Sequence, residues 1–211
     1  MRTSVYVDGY NLYYGALKGT PFRWLDVAAM CKAALQKEHV IHRIRYFTAR
    51  VKPRADNPQV HNRQDAYLRA LGTTPNLSIH FGHYLSHTVR MPKAPLGGSF
   101  VDVIKTEEKG SDVNLASYLL LDAFRTDFDA AVVVSNDSDL ETPIHLVRRE
   151  LGIDRVGVLN PHGGKPGSPA VALKTVAKFQ IPILRKHVAA SQFPSVIRLP
   201  DGKELRKPPR W

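Results

Sequence analysis

Two short apolar runs in this chain end abruptly on acid. TSVYV at 3–7 leads straight into Asp8 of DGYN, and AAVVV at 130–134 leads into SNDSDLE, with Asp137 and Asp139. A third segment, KGSDVNLASYLLLDAF at 109–124, sets Asp112 at the head of a helical pattern. Short runs of this kind read as buried strands, which confines the chain to folds that cover a sheet on both faces.

The rest of the pattern agrees. Helical phasing covers 24–38, with Trp24, Val27, Ala28, Cys31, Ala34 and Leu35 on one stripe. Strands are expected at 42–48, 77–82, 155–159 and 181–184, and helices near 58–71, 111–125, 138–150 and 169–178. Strands that alternate with helices pair in parallel, so the expected fold is α/β, a three-layer Rossmann-like parallel sheet flanked by helices. Between 84 and 108, the turn-rich MPKAPLGGS divides two β-like pieces, as in a hairpin or a mobile flap. From Arg185 onward there are seven Lys/Arg against two Asp/Glu, with four prolines and little periodicity. That composition reads as a basic extended arm at 185–211, beyond a domain at 1–184.

In an open parallel sheet, ligands bind beyond the carboxyl ends of the strands. Asp8 and Asp137 fall at that edge, and the spacing 112, 116, 119, 123 turns Asp112 toward the sheet. Asp122 falls off this stripe and reads as solvated. Two carboxylates about 4 Å apart repel by roughly 4 kcal/mol at an effective dielectric near 20. Several together take up protons unless a cation joins them. Hard oxygen donors without a Cys cluster suit Mg²⁺ or Mn²⁺. The net charge of +11 favours a polyanionic partner, nucleic acid before membrane. Each acid also has a local explanation. Asp112 or Ser111 would cap a helix, SDLE at 138–141 matches a capping box, and Asp8 would close a turn with Gly9. Capping alone is not expected to explain an acid at the end of the first strand.

VDGYNL at 7–12, EKGSDVNLA at 108–116 and VVSNDSDLETPI at 133–144, in this order, resemble the NYN branch of the PIN-like nuclease superfamily, especially its LabA-like (DUF88) group. The resemblance implies a metal-dependent ribonuclease that hydrolyses RNA phosphodiesters with Mg²⁺ or Mn²⁺. It implies Asp8, Asp112 and Asp137 as metal ligands and Asp139 as a fourth catalytic acid, with Asn11 orienting substrate or water. Asn136 stands where the family pattern has glycine, Leu140 where it has phenylalanine, and Tyr118 where a further acid is common.

Lys109, Ser135 and Asn136 join Asn11 as candidate substrate contacts, although Lys109 also reads as a plain solvated lysine. Tyr10, Tyr13 and Tyr14 would stack bases or pack a helix on its sheet. Arg43, Arg45, Arg50, Lys52 and Arg54 would track a nucleic-acid backbone or form a solvated edge. His80, His83 and His87 are not expected to share a metal, because 80 and 83 face opposite sides of a strand. GGKPGSP at 163–169 reads as a loop with Ser168 capping the next helix. The N-terminus reaches Asp8 before any sustained apolar run, unlike a signal peptide, and no run is long enough to span a membrane. Cys31, the single cysteine, excludes an internal disulfide and suits a cytoplasmic protein. The main expectation is a ribonuclease acting on single-stranded or structured RNA. Its rivals are a non-catalytic RNA-binding protein of the same fold and a small-phosphate-ester hydrolase.

Overall fold

In the computed structural model, residues 1–53, 55–94, 98–162, 170–199 and 201–209 are described. β1 (Arg2–Asp8) runs into a one-turn helix, α1 (Gly9–Leu12), which continues as a π-helical turn over Tyr13–Leu17. α2 (Val27–Ala34), β2 (Val40–Thr48), α3 (Val60–Leu71) and β3 (Leu77–Phe81) follow. β4 (His83–Pro92) and β5 (Phe100–Lys109) form an antiparallel hairpin. Next come α4 (Ser111–Phe124), β6 (Ala130–Val134), a 3-10 turn at Ser138–Leu140, α5 (Glu141–Arg149), β7 (Val156–Asn160), α6 (Val171–Val176) and β8 (Phe179–Pro182). α7 (Arg185–Ala190), β9 (Val196–Arg198) and β10 (Glu204–Arg206) come last.

Six strands form one parallel sheet in the order β3-β2-β1-β6-β7-β8. The chain builds outward from β1 to β3, then returns to the other side of β1 with β6. The order therefore reverses between β1 and β6, at the middle of the sheet. Alternation along β1 serves two cores. Val5 and Val7 join Trp24, Met30, Cys31, Tyr67 and Leu71 on one face. Tyr6 joins Phe47, Leu115, Leu119, Ile144 and Val147 on the other. These are the three layers the sequence implies.

Three elements differ from expectation. The helix expected over 24–38 is confined to α2, because the Asp26 carboxylate accepts from Ala29 N at 3.0 Å and starts it, leaving Trp24 and Leu25 in the chain before it. The buried face of α4 carries Ser111, Leu115, Leu119, Asp122 and Ala123, so Asp122 is fully buried rather than solvated. Arg45, from β2, forms a paired contact with it, Nε to Oδ2 at 2.7 Å and Nη2 to Oδ1 at 2.8 Å, and Tyr6 Oη donates to Oδ2 at 2.8 Å. A buried carboxylate so satisfied needs no water. Burial first, then the Asp122 charge, pushes the Tyr6 phenol well above its usual range. The third difference is the basic arm, where the segment after Leu184 packs as a short helix and a hairpin. Val188 and Leu205 are buried, Trp24 Nε1 donates to Pro194 O at 2.9 Å, and Phe193 N donates to Trp24 O at 2.9 Å.

The stretch 43–54 is also mostly committed. Arg43 pairs with Asp127 at 2.9 Å and Arg45 with Asp122, while Arg50 pairs with Asp65 at 3.0 Å. Arg43 and Arg45 are thus tied to acids of the fold, whereas Arg50 sits in an exposed surface pair and Lys52 is exposed; Arg54 lies outside the described residues, as does the 163–169 loop with its Ser168 cap. Cys31 is buried in the core, as its place on the stripe implies. His80 packs between Phe47 and Tyr118, with ring centroids 5.0 and 4.3 Å away. Among the described residues, no helix is long and apolar enough to cross a membrane.

Candidate active site

The reversal of strand order leaves a crevice beyond the carboxyl ends of β1 and β6, where open α/β sheets take their ligands. A cleft of about 460 Å³ lies there, lined by Asp8, Asn11, Glu108, Asp112 and Asp137, with Tyr10, Tyr14, Tyr84 and His162 completing its wall. Asp8 ends β1, Asp112 opens α4 and Asp137 follows β6, so three elements converge on one cleft.

Each acid is fixed locally. Asp8 does cap a helix, contrary to expectation: its Oδ1 accepts from Asn11 N at 2.8 Å. Its Oδ2 accepts from Ser135 Oγ at 2.9 Å, and the same Oγ accepts from Asp137 N at 3.1 Å. Ser135 is fully buried, so it ties the ends of β1 and β6 together and does not face a substrate. Asp137 Oδ1 accepts from Asp139 N at 3.0 Å and starts the 3-10 turn, so Asp137 takes the capping role expected of Ser138. Asp112 is not a cap. The N-terminus of α4 is closed by Glu108, whose Oε1 accepts from Ser111 N at 3.2 Å and Ser111 Oγ at 2.7 Å. Gly110 permits this turn with φ of +93°, a left-handed conformation that a side chain would strain.

Burial raises the Asp8 carboxyl from 3.8 to about 6, with the charges of Asp112 and Asp137 adding to the rise and hydrogen bonds from Asn11 and Ser135 opposing it. Asp112 is also raised, first by burial, then by Asp137, Glu108 and Asp139. The acids thus push against one another's ionisation, the condition a bound cation relieves.

The other sequence candidates take different places. Asp139 is exposed and outside the cleft wall, acting on Asp112 only through its charge. Lys109 is turned onto the hairpin, where it pairs with Glu107 at 3.3 Å. Asn136 is a connector: its N donates to Asn11 Oδ1 at 2.9 Å, and its Oδ1 accepts from Ala170 N at 2.9 Å. Asn11 therefore lines the cleft while its carbonyl oxygen holds the loop after β6.

Sequence reasoning missed Glu108, Tyr84 and His162. Glu108 stands inside the quoted EKGSD segment, and Tyr84 is its register partner across the hairpin. His162 follows the apolar run of β7 as Asp8 follows β1, so the same strand-end logic would have found it. Buried Asn160 fixes its turn by accepting from His162 N at 2.8 Å. A Cβ on Gly15 would stand 2.8 Å from the His162 ring, which makes glycine the residue that lets the π-helical turn reach this wall.

Among the described residues, no group of three His, Cys, Asp or Glu side chains is assembled to hold a metal ion as it stands. The donor set nevertheless fits a hard divalent cation. Mg²⁺ keeps several waters and takes only one or two carboxylates directly, together with substrate phosphates.

A six-stranded parallel sheet with acids gathered at its switch point defines a PIN-like α/β domain. More narrowly, the chain belongs to the NYN domain family, whose model matches residues 2–183. It is 30% identical, over 243 aligned positions that take in all of this chain and 75% of the relative, to 6-hydroxy-3-succinoylpyridine 3-monooxygenase HspA of Pseudomonas putida. Its fold resembles the crystal structure of a protein of unknown function, VPA0982, from Vibrio parahaemolyticus. The TM-score is 0.51 and the identity 14%, over 87% of this chain and 93% of the other. Family membership points to nuclease-type chemistry.

Proposed function

We propose that this protein is a metal-dependent ribonuclease that hydrolyses RNA phosphodiester bonds at the acidic cleft. The observation that carries the reading is the convergence of Asp8, Asp112 and Asp137 from three elements, with the carboxyls of Asp8 and Asp112 raised by burial and mutual repulsion. Asp8, Asp112 and Asp137 are the residues that would hold Mg²⁺ or Mn²⁺. Bound there, the cation would offset charge developing on the phosphate and make water more acidic. Ser135 keeps Asp8 and Asp137 in register, and Glu108 adds negative charge to the rim while holding the start of α4. Asn11, anchored through its carbonyl oxygen, lines the cleft where substrate would lie. Asp139 would adjust the field at Asp112 from the rim. The excess of positive charge over the whole chain favours RNA as the polyanion.

The test is cleavage of labelled single-stranded and structured RNA in Mg²⁺ or Mn²⁺, with EDTA as control. Asp8→Asn and Asp137→Asn should each lower the rate at least a hundredfold, roughly 2.7 kcal/mol of barrier. Undiminished cleavage in both variants, or in EDTA, would sink the assignment.

A second reading rests on the relative named a monooxygenase, because the identity runs the length of this chain and the cleft has an aromatic wall. Turnover of 6-hydroxy-3-succinoylpyridine with oxygen and a two-electron reductant, and none of RNA, would put that reading first.

A further inference from the structure

A second cavity, of about 150 Å³, shares Tyr10, Tyr14 and Tyr84 with the acidic cleft. Its inner wall adds Tyr13, Tyr46 and Tyr67, so six of the chain's eight tyrosines surround one space. Two of these rings are fixed from behind: Tyr67 Oη donates to Leu25 O at 2.9 Å, and Tyr10 Oη donates to Ala49 O at 2.8 Å. Tyr13 and Tyr14 stand on the π-helical turn, a distortion that recurs at functional sites.

Two arginines, Arg23 and Arg63, line the same cavity. Among the described residues, neither is paired with a carboxylate, and Arg23 Nε is buried without a hydrogen-bond partner. Arg63 donates to Asn57 Oδ1. Guanidinium groups at an aromatic wall offer N–H donors to a ligand that carries acceptor oxygens. A space of about 150 Å³ holds one benzene-sized ring. Tyrosine faces take a flat ring by stacking, and a guanidinium donates in plane to ring carbonyls.

We propose that this cavity is a base-binding subsite that takes one pyrimidine ring of single-stranded RNA, beside the phosphate at the acidic cleft. The inference deepens the ribonuclease reading and rests on it. The space matches a single ring more closely than the fused rings of a purine. The common wall of Tyr10, Tyr14 and Tyr84 lets a single nucleotide place its base in one chamber and its phosphate in the other.

The experiment is an NMR titration with uridine, cytidine and adenosine, nucleosides without phosphate, so that the result does not depend on a cation in the cleft. Uridine and cytidine should bind about tenfold or more tightly than adenosine, and Arg23→Met should weaken them about tenfold. Arg63→Met, at a second point on the wall, should weaken them in the same direction. Equal affinities for all three nucleosides, no binding up to roughly 10 mM, or uridine affinity unmoved by both variants would overturn the subsite. Tighter binding of 6-hydroxy-3-succinoylpyridine than of uridine would overturn it in favour of a small heteroaromatic acid. RNA cleavage measured alongside separates the two proposals. Cleavage without pyrimidine preference removes the subsite alone, and pyrimidine selection without cleavage removes the nuclease chemistry alone.

Discussion

Asp8 carries two roles that work against each other. As a cap it stabilises α1 by about 1 kcal/mol, yet its ionised form is disfavoured in the fold. A carboxyl whose folded value lies above its unfolded one costs nothing at low pH and costs most above the folded value. A rise from 3.8 to about 6 corresponds to roughly 3 kcal/mol. Asparagine caps as well as aspartate. Asp8→Asn in EDTA should therefore gain about 1–3 kcal/mol at pH 7.5, a gain that falls as pH drops through 6 and is nearly gone by about pH 3. Thermal melts across that range check it, and an unchanged or lower melting temperature at pH 7.5 would refute it. At this scale the convergence of Asp8, Asp112 and Asp137 on one cleft was legible, because strand ends and helix starts leave a mark in sequence. The orientation of Lys109 and Ser135 was not legible, because a side chain's direction depends on neighbours that sequence spacing does not name. Lys109 turns to Glu107, and Ser135 turns inward to Asp8.

Between elements, the Asp122–Arg45 pair joins α4 to β2 through the core, with Tyr6 of β1 as third member. Removing one partner leaves the other charge buried and unmet. Asp122→Ala should cost roughly 3–5 kcal/mol, seen as a lower urea midpoint, and a loss under 1 kcal/mol would show that the pair is not needed. Replacing both, with Arg45→Met and Asp122→Leu, should recover part of the loss. The parallel alternation of strands and helices was readable from periodicity. The true face of α4 was not, because the stripe was phased through Asp112 and Ala116, whereas Ser111, Leu115 and Asp122 lie on the buried face and the partner of Asp122 lies on a strand far back in the sequence. The hairpin of β4 and β5 was expected, but not its use: it brings Tyr84 and Glu108 to the cleft.

Across the molecule, the segment after Leu184 closes the core over Trp24 instead of trailing as an arm. Composition misled here, since seven basic residues and four prolines are compatible with a docked segment when Val188 and Leu205 supply the anchors. A chain truncated after Leu184 should lose at least the roughly 3–5 kcal/mol that deleting a buried aromatic costs. Its melting temperature by circular dichroism should fall by about 10 °C or more, and unchanged melting would show the segment to be dispensable. The same arrangement bears on biosynthesis. On the ribonuclease reading proposed above, the message that encodes the chain is the RNA nearest to it during synthesis. Asp8 is made before Asp112 and Asp137, all three of which the cleft needs, and Trp24 is made before Phe193 and Pro194, which pack on it. The order of synthesis would therefore withhold the assembled cleft from that message until Asp137 has left the ribosome.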